Sequence, residues 1–393
     1  MSKLPGLNGI RACACLMIIL HHLSQTYNTS FTNPDIEFIH HLCLSSLQSC
    51  VTIFFVLSGA LLSRRFWLQY LDDKVMPNLH VFFIRRAARI IPAFYSVLAI
   101  TFLLELFIIP EQPNRFLRFF SAFTFLSGFN YKTFFPTMLD GPLWSISFEV
   151  VTYILLPVFM FGLFFSQKHY KHHAVFYWIL ALITVLLINN VIQIYCQPDD
   201  INRGWQYGIV GGAKYWMPNY NPIGFFAQYM LGIAAAGITI WLERASKIRG
   251  YMQKHNLFDI LSLLGISAYI IMLFFFSTIP EFAISMQNQP YHYPLFSGCA
   301  ALIITVMPLS KHIGHLFDNP FFSYTAKISF GLYIWHYIFV AAIFYSGATR
   351  GTGNITDWFI GSLVVIIAAY TVASLSWFLL EKPILDRVKN YCH

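Results

Sequence analysis

Residues 10–22 read IRACACLMIILHH. The middle of the stretch is Ile, Ala, Cys, Leu and Met, the composition of a helix dissolved in lipid. Its ends are an arginine, Arg11, and two histidines, His21 and His22. Charged side chains within a span cost at least a few kcal/mol each, so they face a cavity or a partner. Arg11 and His22 are eleven residues apart, which at 100° per residue falls about 20° past three full turns, with a rise of about 16 Å. Both therefore lie on one face, Arg11 near one end and His22 well along it. His21 sits about 80° off that line. The bland alternative is an Arg reaching to the interface and histidines bonded to a neighbouring helix. The alignment favours a lined cavity, with His21 as the bland member.

The rest of the chain has the same character. Of 393 residues, 57% are hydrophobic and 11% charged, against roughly 25% charged in soluble domains, and the mean hydropathy is +0.59. Apolar runs fall at about 7–27, 42–63, 81–109, 142–166, 174–195, 222–242, 257–279, 294–310, 322–345 and 357–380. They are long and unbroken rather than alternating, which argues against a β-barrel. The expectation is an all-α polytopic membrane protein of about ten transmembrane helices, one integral-membrane domain over 1–393. A shorter piece, RFLRFFSAFTFLSGF (115–129), is expected at the interface or as a re-entrant segment. The first run has no cleavage-type ending and is expected to stay as a span. No internal repeat, CxxC pair or metal spacing is present, so no metal is expected. Cys43 and Cys50 fall near one face, where the sequence leaves a disulfide open.

The net charge of +8 does not point to nucleic acid, because the basic residues sit in short connectors between apolar runs. With the N-terminus inside, the connectors 64–80, 167–173, 243–256 and 311–321, the C-terminal tail and adjoining helix ends hold 19 of the 25 Lys and Arg; the outer side holds Arg115, Arg118, Lys132, Arg203, Lys214 and Arg350. By the positive-inside rule both termini are cytoplasmic.

Three further polar clusters stand out. In FFIRRAARIIPAFY (82–95), Arg85, Arg86 and Arg89 open the third run, and Arg86 and Arg89 are neighbours on one surface. Topology-setting charge accounts for them; a phosphate clamp is the functional reading, since Arg pairs bind phosphate bidentately. In GPLWSISFEVVTY (141–153), Glu149 lies about two turns into the fourth run and requires an Arg or His partner, with Trp144, Ser145 and Ser147 lining the entry. In KISFGLYIWHYIF (327–339), His336 is mid-span beside Trp335, a hydrogen-bonded structural histidine or a functional one.

Together these segments resemble the membrane-bound acyltransferase type 3 family. LNGIRACACLMIILHH resembles its opening, in which an Arg, ten residues and a His form the signature, here Arg11 and His22. TIFFVLSGALLSRR (52–65) resembles its FFxLSGFL pattern, Arg86 and Arg89 its RxxR motif, PLWSISFEVVTY its WSLSxE segment, ISFGLYIWHYIF its SYxxYLxH segment and WFLLEKPI (377–384) its closing E-x-P element. The matches run in order from residue 4 to 384. Asn8, Ala12, Ala60 and Val150 depart from the pattern, and Val150 removes a second acidic residue after Glu149.

The resemblance implies transfer of an acyl group, usually acetyl from cytoplasmic acetyl-CoA, to a hydroxyl of an extracytoplasmic glycan, in a bacterial inner membrane. The acceptor could be an O-antigen, capsule, exopolysaccharide or peptidoglycan sugar, free or undecaprenyl-linked. Some members carry a fused periplasmic hydrolase-like domain, which this length does not accommodate. On this reading His22 is the general base, Arg11 marks the donor path and Glu149 orients or charge-stabilises His22. Arg85, Arg86 and Arg89 take the CoA phosphates. Trp144, Ser147 and His336 contact substrate, and Trp205, Tyr207 and Trp216 stack on sugar faces. Competing readings are a transporter or flippase of a lipid-linked sugar, which would tend to show broken helices and inverted repeats, and a structural or sensor protein with satisfied buried charges.

Overall fold

The computed structural model describes residues 4–25, 31, 33–109, 112–165, 171–195, 217–279, 294–346 and 355–391, and every regular element among them is helical. In lipid each backbone N–H and C=O must be satisfied within its own segment, which an unbroken apolar run achieves only as a helix. The first half comprises α1 (Leu7–Gln25), α2 (Pro34–Ser46), α3 (Val51–Leu71), α4 (Leu79–Ile108), α5 (Arg115–Phe123), α6 (Trp144–Met160) and α7 (Lys171–Tyr195). The second comprises α8 (Pro222–Arg244), α9 (Ser246–Lys254), α10 (Leu257–Thr278), α11 (Leu295–Val306), α12 (Ile313–Leu316), α13 (Pro320–Ser346), α14 (Ile355–Ser376) and α15 (Lys382–Tyr391). Among the described residues eight stretches are long and apolar enough to cross a membrane, and two shorter apolar helices, Trp178–Ile192 and Leu295–Leu309, account for the other two apolar runs. Leu103, Ile154, Leu264 and Ile367 stand exposed on outer faces, as they do when the surrounding solvent is lipid. The chain is a multi-pass, all-α membrane protein.

Two boundaries differ from expectation. The run at 42–63 is not one element: α2 ends at Ser46, a 3₁₀ turn spans Leu47–Cys50, and α3 continues to Leu71, well into the expected connector 64–80. Serine explains the break. Ser45, Ser46 and Ser49 donate to the carbonyls of His41, Leu42 and Ser46, each at 2.6 Å, and such bonds compete with the helical ladder. The continuation of α3 is held by Arg64, which donates to Glu243 at the end of α8 at 2.7 Å. The segment 115–129 is the nine-residue helix α5, with Phe116 and Phe120 exposed, followed by a 3₁₀ turn at Ser127–Phe129; it is too short to span.

The framework around the site rests on a close crossing of α3 and α8. A Cβ at Gly232 would lie 1.9 Å from the Val56 carbonyl oxygen, and one at Gly59 2.1 Å from that of Tyr229. Only two glycines allow the backbones this approach. The Ser-Gly of FFVLSGALL is therefore a packing device. At one end of the same pair Thr52 Oγ1 donates to Gln228 Oε1 at 2.9 Å. α1 lies against α3 and α13, and α13 against α14 and α4, which brings the Arg11–His22 face of α1 to the polar face of α13.

Candidate active site

A cavity of about 950 Å³ opens among α1, α3, α4, α6 and α13, with Arg11, Arg86, Arg89, Glu149, Tyr153 and Lys327 in its walls. That is near the upper end of the usual range for ligand pockets. At its basic end stand Asn8, Lys327, Tyr324 and Trp377; its far end is formed by Val51, Phe54, Ser145 and Tyr333. Three guanidiniums from two helices share this space, but in unequal states. Arg89 donates to Glu381 at 3.0 Å and stacks over Phe330 and Trp377, 5.6 and 5.3 Å from the ring centroids. Glu381 is delivered by a π-turn at Trp377–Glu381 and is fully buried; such turns commonly serve to aim a side chain. Arg11 and Arg86 make no ion pair or hydrogen bond among the described residues. Two uncommitted cations in a cavity bind an anion, and guanidinium forks suit phosphate.

Glu149 belongs to this chamber. Tyr153, one turn along α6, donates its phenol hydrogen to Glu149 Oε1, and the charges of Arg11, Arg86 and Arg89 all act on the carboxylate. The expected contact of Glu149 with His22 is not made. Glu149 lies at the level of Arg11, whereas His22 is three turns further along α1. The Glu149 carboxylate offsets the chamber's positive charge and does not complete a His22 triad.

His22 lies in a second, smaller polar group. Its Nδ1 is 2.8 Å from Gln25 Oε1, and its ring centroid is 5.2 Å from that of His336 and 5.0 Å from that of Tyr337. The His336 Nδ1 is 2.7 Å from the Tyr333 carbonyl and 3.1 Å from that of Leu332. Carbonyls only accept, so Nδ1 carries the hydrogen, and the Nε2 of the neutral ring is an acceptor. That Nε2 is buried and has no partner. His21 behaves as the sequence suggested: it is buried, with Nδ1 3.3 Å from the Cys43 carbonyl.

The two groups meet at α13. Tyr333 lines the far end of the cavity and lies three residues before His336. Its hydroxyl is 2.7 Å from Ser145 Oγ and donates to the Pro142 carbonyl at 3.0 Å. The cavity thus ends one turn short of the His22–His336 pair.

The remaining expected positions fall elsewhere. Arg85 is not in the cavity wall. Ser147 is buried, donating to the Phe125 carbonyl at 2.8 Å and accepting from the Gly128 amide at 3.2 Å; it fastens the loop after α5 and is closed to substrate. Trp144 stacks on Phe134, at 5.4 Å, and packs edge-on to Tyr220 and Phe148, so it is tied into an aromatic cluster while remaining partly exposed. Cys43 and Cys50 are free thiols. Trp205, Tyr207 and Trp216 lie outside the described residues. Sequence reasoning missed Tyr153, Tyr333, Lys327 and Trp377. Tyr153 could have been found, since it is one turn from Glu149.

The family model described as "Acyltransferase domain" matches residues 4–374. Among curated proteins, the chain is 26% identical to a Staphylococcus aureus (strain COL) protein named "Putative O-acetyltransferase", over 98% of this chain and 57% of that one. It is 24% identical to the Bacillus subtilis protein named "Putative peptidoglycan O-acetyltransferase YrhL", over 97% and 55%. It is 23% identical to Peptidoglycan O-acetyltransferase OatA of Listeria monocytogenes, over 97% and 55%. The chain spans little more than half the length of these relatives. No solved structure gives a significant match. The chain belongs to the acyltransferase type 3 family.

Proposed function

We propose that this acyltransferase moves an acetyl group from acetyl-CoA to a hydroxyl of a cell-surface glycan, across the bacterial inner membrane in which it is embedded. The observation that carries the reading is the cavity: two uncommitted guanidiniums, Arg11 and Arg86, at one end, and a passage that stops one turn from a histidine pair at the other. With both termini cytoplasmic, the basic end opens to the cytoplasm. The CoA phosphates bind Arg11 and Arg86, with Lys327 beside them, and the pantetheine arm extends toward Ser145 and Tyr333. Arg89, neutralised by Glu381, shapes the wall. The acceptor approaches His22 from the opposite face. A peptidoglycan sugar, the acceptor named for two relatives, is one candidate.

The reaction needs one base and no redox partner. His22 removes the hydrogen of the acceptor hydroxyl as its oxygen attacks the thioester carbonyl. The C–O bond forms, the C–S bond breaks, and the imidazolium returns the proton to the departing CoA thiolate. The products are the O-acetyl ester and CoA thiol. Donor and acceptor arrive from opposite faces, so the acetyl group crosses while CoA does not.

The test is incorporation of radiolabel from [¹⁴C]acetyl-CoA into the glycan by membrane vesicles carrying the chain. The expected result is incorporation that His22→Ala abolishes at matched protein level. Movement of a lipid-linked sugar without label would replace this reading with a transporter.

A further inference from the structure

Asp140 lies immediately before the 3₁₀ turn Gly141–Leu143 that leads into α6. Its side chain is fully buried, and neither carboxyl oxygen has a hydrogen-bond partner among the described residues. An unpartnered buried carboxyl is among the most unfavourable groups a fold can carry, and folds retain such groups where a ligand completes them.

Its position ties it to the histidine pair. Two residues on, the Pro142 carbonyl accepts from Tyr333; Tyr333 is three residues before His336 and Tyr337 one residue after it. Asp140 is within electrostatic reach of both tyrosines, and Tyr337 packs edge-on against His22. The same helix holds another buried atom without a partner among the described residues, His336 Nε2. The Asp140 carboxyl presents an oxygen that accepts in either protonation state, and this Nε2 only accepts. One of these groups, His336, has its ring 5.2 Å from that of His22, and the other, Asp140, reaches the same pair through Tyr333 and Tyr337. The complement of such a site is a molecule with several O–H donors.

We propose that Asp140, together with His336, forms the acceptor subsite, taking hydrogen bonds from sugar hydroxyls and so presenting one of them to His22. The subsite rests on the acyl-transfer reading and adds to it where the sugar is held. Asp140 acts as a specificity and positioning residue: it selects a polyol over an alcohol with a single hydroxyl, and it takes no part in holding the donor.

The experiment uses the full chain in its host membrane and compares Asp140→Asn, His336→Asn and His336→Gln with wild type. Three quantities are read: base-labile acetate on the surface glycans, apparent affinity for acetyl-CoA in isolated membranes, and the thermal midpoint of the solubilised protein. Asp140→Asn is expected to lower glycan acetate about three- to tenfold, the loss of one hydrogen bond to the substrate, with donor affinity within about twofold of wild type. Its thermal midpoint should be equal to or above wild type, since a group held ready for a ligand is a liability to the empty fold. His336→Gln, whose amide oxygen can stand near Nε2 and accept in its place, should retain more transfer than His336→Asn, which reaches only the Nδ1 position. Unchanged transfer in Asp140→Asn, a loss of donor affinity, or a lowered midpoint that accounts for the lost transfer would each overturn the subsite. If wild type adds no acetate to glycan, the acyl-transfer reading itself fails, and the subsite with it.

Discussion

Arg86 and Arg89 are three residues apart in one motif, yet they should fail in opposite ways. Arg89 and Glu381 form a contact of 3.0 Å, with side-chain exposures of 20% and 0%. At that burial the pair is an interior ion pair, and removing one partner strands the other, at about 3–5 kcal/mol. Arg89→Ala should therefore reduce stability by that order. Removing both charges should restore most of it, so Arg89→Met with Glu381→Gln should be more stable than either single variant. Arg86 has no such partner, and Arg86→Ala should leave the thermal midpoint near wild type. Its loss should instead appear in donor affinity. A charge-assisted bond to phosphate contributes about 1.5–3 kcal/mol, or about 10- to 100-fold in the dissociation constant of acetyl-CoA. The assays are thermal unfolding of the solubilised protein and displacement of labelled acetyl-CoA, run on Arg86→Ala, Arg89→Ala, Arg89→Met, Glu381→Gln and the double variant. The argument is refuted if Arg86→Ala and Arg89→Ala lower stability and affinity alike, or if the double variant is no more stable than Arg89→Met alone.

Other expectations follow from contacts already described. His22→Ala should reduce transfer about 10²- to 10⁴-fold, the usual range for a general base, while His21→Ala, which loses a bond to the Cys43 carbonyl, should act on protein yield; labelled acetate per unit of folded protein separates them. Gly232→Ala pushes a methyl to within 1.9 Å of the Val56 oxygen and should destabilise the fold by about 1–3 kcal/mol or more, measured as a lower thermal midpoint, with Gly162→Ala, which meets nothing within 4 Å, as the neutral control. Burial without a partner raises the Asp140 carboxyl well above its ordinary value. The stability linked to its proton is complete below about pH 3.9 and is lost as pH rises through the folded value. The midpoint difference between Asp140→Asn and wild type should therefore widen with rising pH and narrow in acid; a difference independent of pH would refute this.

Length and hydropathy made the spans legible, because lipid leaves a long apolar run no alternative to a helix. The face shared by Arg11 and His22 was legible as well, since helical geometry fixes it. Partner choice was not. Nothing local to Glu149 says that Tyr153 and three arginines rather than His22 will surround it, and nothing local to Arg89 says that a carboxylate almost three hundred positions later will neutralise it; both depend on which helices pack. Ser147 and Trp144 show structural ties that the sequence did not reveal. Their place in a motif suggested substrate, but the serine fastens a loop and the tryptophan fills an aromatic cluster. Asp140 escaped notice because aspartate before Gly-Pro reads as an ordinary turn residue, and its burial exists only in three dimensions.

The contact between Ser145 and Tyr333 at the end of the cavity, 2.7 Å between hydroxyl oxygens, has a consequence for the membrane as an insulator. On the proposed reading, in which a water-soluble donor would enter from one side and a sugar from the other, a continuous wet path would leak protons and dissipate the transmembrane voltage. Two hydroxyls in direct contact, with Phe54 packed 6.0 Å from the Tyr333 ring, stand across the far end of the cavity. One neutral hydrogen bond is worth only about 1 kcal/mol, so on that reading an arriving thioester would displace it and fill the gap as it does so. The barrier would then be opened only by the molecule that plugs it.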